Sequence, residues 1–255
     1  NSLGGNITLR SDSMNRTTGL VNAATGSVSL TTIDIAKEII IGGPTATFAD
    51  SLLSNIASSA GLTIGSATHA ADVSINGIVD TSLNITGGLI RLLSLEDVTI
   101  NGTMRNAVET TLRSGTGNVI VNGTLASLDD VNLQTTAGSI QFGNGTTLTS
   151  TNGKIVLSSA TSIAGSGAVT FNAATGLLYS TAMTLGGNTT INVDALNLQQ
   201  SITSTTGDIT INSANPVLVN PEIVLSAGNS LNLPALDANG NLVLNAGNGV
   251  VLSNA

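Results

Sequence analysis

Val98-Thr99-Ile100, Val119-Ile120-Val121 and Ile140-Gln141-Phe142 are one phrase written three times at equal spacing along the chain. The phrase is an apolar–x–apolar triplet, with x most often polar, usually followed by Asn, Gly, Ser or Thr. Working outward, it recurs as Ile7-Thr8-Leu9, Val28-Ser29-Leu30 and Val73-Ser74-Ile75 on the amino-terminal side. On the other side it recurs as Val169-Thr170-Phe171, Ile209-Thr210-Ile211 and Leu242-Val243-Leu244. Alternation at period 2 is the pattern of a strand with one face inward. Self-similarity at a fixed period of about 20 residues marks a stacked repeat.

The fold class implied is all-β, a parallel β-helix (β-solenoid) of about 12 coils of ~20 residues, stacked ~4.8 Å apart through parallel backbone hydrogen bonds. The expected hand is right, since parallel crossovers are nearly always so. Residues 1–255 read as a single solenoid segment of a longer chain, because strand phrases run almost from the first residue to Val250-Val251-Leu252. An antiparallel sandwich is the competing reading. It would use aromatic rings in its core and Asn-Gly pairs at regular hairpin positions, and neither is present. Gly115-Thr116-Gly117-Asn118, Gly143-Asn144-Gly145 and Asn152-Gly153 are instead spaced as turns between short strands, where Gly and Asn tolerate positive φ.

Helix signals are few. Ile35-Ala36-Lys37-Glu38-Ile39-Ile40-Ile41 reads as a strand, because its β-branched end runs into Gly42-Gly43-Pro44. Asp50 to Ala60 carries Leu52, Leu53 and Ile56 at helical spacing and suits one short turn. The slot after a strand triplet holds Asn76, Asn101, Asn122 and Asn212, which the repeat would stack into an amide ladder.

Charged residues make up 9 % of the chain and aromatics 2 %, with Phe48, Phe142, Phe171 and Tyr179 the complete set. A core of Leu, Ile, Val and Ala suits a narrow interior in which like stacks on like. The net charge is −8, and the seven basic residues are scattered along the chain, Arg16 among them. Nucleic acid needs a basic face and is not an expected partner; nor is an anionic membrane surface. No apolar run is long enough for a spanning helix, so membrane insertion is not expected. There is no Cys, which removes disulfides, thiol chemistry and Cys-ligated zinc.

Chemistry is thinly supported. The paired acids Glu96-Asp97 and Asp129-Asp130 each precede a valine, which suggests similar places in the coil. They are the candidates for an acidic catalytic or calcium-binding groove, with Arg91, Arg105 and Arg113 as the basic residues a polysaccharide lyase would want. The other reading is solvated turns whose carboxylates cap backbone N–H groups. His69 is the sole histidine, too few for a His-based metal site, and as a surface residue in a turn-like stretch it is expected to be inert rather than part of a Ser-His-Asp triad. Thr45-Ala46-Thr47 and Thr147-Leu148-Thr149 are isolated Thr-x-Thr pairs, whereas an ice-ordering face needs them on every coil. The Asn-x-Ser/Thr sequons at Asn6, Asn15, Asn84, Asn101, Asn122, Asn144 and Asn188 follow from a composition rich in Asn and Thr. The expectation is no catalytic residue, no metal and no cofactor.

Gly5-Asn6-Ile7-Thr8-Leu9, Gly26-Ser27-Val28-Ser29-Leu30, Gly207-Asp208-Ile209-Thr210-Ile211 and Gly240-Asn241-Leu242-Val243-Leu244-Asn245-Ala246 give the phrase its fullest form. Phrases of this kind resemble the repeat region of filamentous-haemagglutinin-type exoproteins along essentially the whole chain. The resemblance implies a right-handed parallel β-helix in the shaft of a large bacterial protein secreted by the two-partner pathway, serving as an adhesin or surface fibre. That family's secretion domain carries Asn-Pro-Asn motifs near its start. Asn215-Pro216 and Asn220-Pro221 stand late and out of that context, so the match is to shaft alone. The expected function is therefore a non-enzymatic structural or adhesive segment, secreted or on the cell surface. Its expected partners are copies of itself, stacked end to end or packed side by side, and host or surface glycans. A carbohydrate-binding or carbohydrate-cleaving β-helix is the alternative.

Overall fold

A computed structural model of the chain describes residues 4–14, 19–220 and 222–253. The sequon at Asn15, Arg16 and Pro221 lie outside the described residues. Short strands wind as a parallel β-solenoid, and every strand pairing in it is parallel. Each regular turn contributes one strand to each of three faces. The first face begins as an eight-stranded sheet from Ile7–Arg10 to Gly176–Tyr179 and continues as a three-stranded sheet of Asn197–Leu198, Val217–Val219 and Leu236–Ala238. The second is a ten-stranded sheet from Ile39–Ile41 to Leu242–Ala246, and the third a nine-stranded sheet from Ile78–Asp80 to Gly249–Leu252. Among the described residues the first face counts eleven strands, close to the number of turns the sequence suggests.

The triplets hold the register. Val98, Val119 and Ile140 lie directly over one another, as do Ile100, Val121 and Phe142, so the spacing of the triplets is the length of one turn. Their side chains point inward into one continuous aliphatic cluster. Burying each such Leu, Ile or Val stabilises the turn by about 1.5–3 kcal/mol. A one-residue slip would turn each of these side chains outward, so the register is strongly specified. Phe48, Phe142, Phe171 and Tyr179 interrupt the aliphatic run. Phe142 and Phe171, on different faces, meet edge to face with centroids 5.5 Å apart, an arrangement the ring quadrupoles favour. The only tyrosine, Tyr179, is buried and donates its hydroxyl to the Gln200 carbonyl at 2.7 Å. Burial holds its phenol pKa above the ordinary value.

Corners are built from small residues. Between the second and third faces, a Cβ on Gly102 would stand 2.0 Å from the Gly77 carbonyl oxygen, and one on Gly123 2.0 Å from that of Gly102. Only glycine lets successive turns lie this close. In the same corner Asn101 donates its amide to Asn76 at 2.7 Å, and Asn122 donates to Asn101 at 2.8 Å. That is the expected ladder. Asn212 belongs elsewhere: it lies within the strand Ile209–Ser213 of the third face, where it donates to Asn192 at 2.7 Å.

The amino-terminal turns are wider. Val28 pairs with Leu62 and Leu62 with Ile90, both longer steps than the spacing of Val98, Val119 and Ile140. The extra length forms a two-stranded sheet of Val21–Asn22 and Ile56–Ala57 and the one-turn helix Asp50–Leu53, whose Leu52 and Leu53 are buried. Ile35 to Glu38 is not strand. The Asp34 carboxylate accepts the Ala36 N–H at 2.9 Å and turns the chain, so pairing begins only at Ile39–Ile41. Gly42 and Gly43, at φ +73° and +81°, then end that strand in the left-handed region.

Candidate functional site

The two acid pairs occupy different corners. Glu96-Asp97 enters the second face ahead of Val98, whereas Asp129-Asp130 enters the first ahead of Val131. The valine that follows each pair therefore begins a strand of a different sheet, and the structure does not bring the four carboxylates into one groove. The Asp97 and Asp130 carboxylates are engaged as turn acceptors, whereas Glu96 and Asp129 take part through their main-chain carbonyls, which accept the Ser114 and Ser150 hydroxyls. Asp97 accepts the Asn118 N–H at 2.6 Å, and its own N–H is accepted by Asp72 at 3.0 Å. Asn118 continues the column by accepting the Ser139 N–H at 3.0 Å. Asp130 accepts the Lys154 N–H at 2.9 Å and faces its ammonium at 3.9 Å. Each side chain caps the turn stacked on it, the role capping carboxylates play elsewhere. Among the described residues no three His, Cys, Asp or Glu gather as metal ligands, and no helix is long and apolar enough to cross a membrane.

His69 lies in the wide region and is fully buried, and neither of its ring nitrogens has a hydrogen-bond partner. Its carbonyl accepts the Leu95 N–H at 2.8 Å, which ties it into the stack. Burial lowers its pKa below 6.5; the backbone of Lys37 and the carboxylates of Asp34 and Asp72 pull weakly the other way. No serine hydroxyl is bonded to the ring, so a Ser-His relay is not assembled.

Several sequon asparagines prove to be corner residues. Asn6 accepts the Ser27 N–H at 2.9 Å, Asn144 the Ala168 N–H at 2.9 Å, and Asn188 the Asp208 N–H at 3.0 Å. The abundance of Asn thus has a structural cause: the corner turns need acceptors for the N–H groups of the next turn.

The most ordered surface is on the third face. Thr103, Thr124, Thr147, Thr170, Thr190 and Thr210 stand opposite one another on successive rungs, all half-exposed. Two residues along each strand runs a second column of Ala126, Thr149, Asn172, Asn192 and Asn212. Its amides are chained: Asn172 donates to Thr149 at 3.4 Å, Asn192 to Asn172 at 2.6 Å, and Asn212 to Asn192 at 2.7 Å. The pair Thr147 and Thr149, isolated in sequence, is therefore one rung of a regular array. Thr45 and Thr47 are no part of it. Thr47 is buried and donates to the Glu38 carbonyl at 2.9 Å. A shallow apolar groove of about 250 Å³ marks where the first face changes sheets, beside Leu177, Leu178, Leu196 and Leu218. Its lining carries no acid or histidine, and the Lys154 at its rim faces Asp130.

No protein-family description, no curated protein and no solved structure matches the chain.

Proposed function

We propose that the chain is a structural segment of a secreted bacterial cell-surface protein, a rod of the kind that filamentous-haemagglutinin-type exoproteins use as shafts. One observation carries this reading. The ten-stranded second face runs unbroken from Ile39 to Ala246, and among the described residues beyond Ile90 no connection is long enough to build an inserted site. A stack of this kind resists extension along its axis, because each turn is held by backbone ladders and an aliphatic filling shared with both neighbours. One carboxylate of each acid pair caps a turn, and the pairs stand at different corners, which favours a mechanical role over polysaccharide cleavage.

The last described turn carries Val243, Val250, Val251 and Leu252 at the surface beside open strand edges. Open strand edges of this kind pair readily with a second copy of the chain. Electron microscopy of the purified protein tests the proposal. Rods about 50 Å long, from about eleven turns at ~4.8 Å, and head-to-tail multiples of that length support it. Compact round particles, or cleavage of acidic polysaccharides by the purified chain, overturn it.

A further inference from the structure

We propose that the third face, from Thr124 to Asn212, binds the surface of ice. The proposal rests on the solenoid geometry and is independent of the shaft reading. Thr124, Thr147, Thr170, Thr190 and Thr210 form one column and Thr149, Asn172, Asn192 and Asn212 the other. Neighbours in a column repeat at ~4.8 Å, and the two columns lie about 6.8 Å apart, because alternate residues of a strand share a face. Only Thr147 and Thr149 form a Thr-x-Thr pair in this array; at Asn172, Asn192 and Asn212 an amide takes the second threonine's place, and the result is a two-dimensional grid of hydroxyl and amide groups in register.

Three properties fit this grid to a crystal of water. It is stiff: threonine is restricted at χ1, and the asparagines are tied rung to rung at 2.6 and 2.7 Å. It is uncharged: no ionisable side chain stands in either column between Arg105 and Asn212, although the chain carries a net charge of −8. It alternates methyl with hydroxyl or amide groups, so it can anchor waters at fixed spacing without enclosing any of them. Ice differs from liquid water in having such fixed positions. A rigid grid holds waters in place with little ordering cost on binding, and many weak contacts act together across its length. A neutral polysaccharide is the other flat, uncharged lattice of this scale. Sugar rings are held chiefly against aromatic faces, and Phe48, Phe142, Phe171 and Tyr179 are all buried.

The test is slow freezing of a dilute solution of the full chain, reading the protein in the ice against the remaining liquid, together with crystal shape and melting–freezing hysteresis. The chain should enter the ice and shape the crystals. Thr190→Lys and Thr170→Lys, at half-exposed positions that disturb no core, should fall to the level of an inert protein. Thr184→Lys, outward on the second face, should behave as the parent does. Exclusion of the parent chain from ice overturns the proposal. So does retention of both third-face lysine variants in the ice, or Thr190-dependent binding to crystalline cellulose without any effect on ice.

Discussion

The wide turns before residue 90 and the regular stack after it use the same rungs and differ in everything between them. In the stack the turns stay within a narrow range of lengths, from Ile223 to Leu242 at the short end to Val131 to Ile155 at the long end. Alternate positions of their strands are inward, while Leu128, Leu178, Leu218 and the valines of the last described turn are exposed. In the wide region the turn from Val28 to Leu62 is markedly longer, and the added chain brings its own buried residues, Phe48, Leu52, Leu53 and Ile56. Exposed apolar side chains occur in both regions, the most exposed being Leu83 of the wide region at 88 %. Buried unpartnered polar atoms also occur in both, on Thr32 and His69 in the wide region and on Thr189 and Asn197 in the stack. The lesson is that a solenoid constrains only its rungs. Whatever leaves the ladder and returns in register is tolerated, but it must fill its own interior. The stack should accordingly be stiff and the wide turns locally soft.

The largest expected effect lies in the stack. Phe171→Ala removes a fully buried ring and its edge-to-face partner, and should cost about 3–5 kcal/mol in urea unfolding. Because nearest-neighbour terms couple the turns, amide protection should fall on the turns above and below as well. Leu53→Ala, in the wide region, should cost about 2–4 kcal/mol. Its loss of amide protection should stop near residue 90, as for a separate cooperative unit. Equal loss along the whole rod would erase the contrast between the regions. Asn101→Ala cuts the corner ladder in the middle and should cost about 0.5–1.5 kcal/mol, since each amide bond is partly replaced by water.

The smallest effect is a pH dependence confined to the wide turns. The pKa of His69 is lowered in the fold, so below pH 6.5 the unfolded chain takes up a proton that the folded chain resists. Stability of this region is therefore complete above that pH and declines as pH falls toward the lowered folded pKa, with no further loss below it. Amide exchange on either side of neutrality, at about pH 7.5 and about pH 5.5, should show faster opening around His69 at the lower pH. The His69→Leu variant should remove the difference. An equal slope in the variant would assign the effect to the carboxylates instead.

The strands of the stack were legible because inward alternation is written locally. Ile209-Thr210-Ile211 announces a half-buried strand without reference to its neighbours. The corner ladder of Asn76, Asn101 and Asn122 was legible as well, because its members follow their triplets at a fixed offset. Asn212 deceived for the same reason: it too follows a triplet, but on a face whose strand continues to Ser213. The acid pairs deceived similarly. Both precede a valine, yet a turn has more than one corner, and a local motif does not say which corner it occupies. The threonine column was hidden by its unequal steps: Thr124 to Thr147 is a longer stretch of chain than Thr103 to Thr124 or Thr170 to Thr190.

The chain's own letters determined that it winds, that it winds in parallel, and which side chains fill it. Burying the inward positions is the dominant favourable term, and it is encoded residue by residue. Only the assembled stack decided what the outside looks like. Hydrogen-bonded rungs bring the strands back into register whatever the loops contribute between them, so residues a whole turn apart in sequence become neighbours ~4.8 Å apart. The threonine and asparagine grid arises from that alignment, and no single turn contains it.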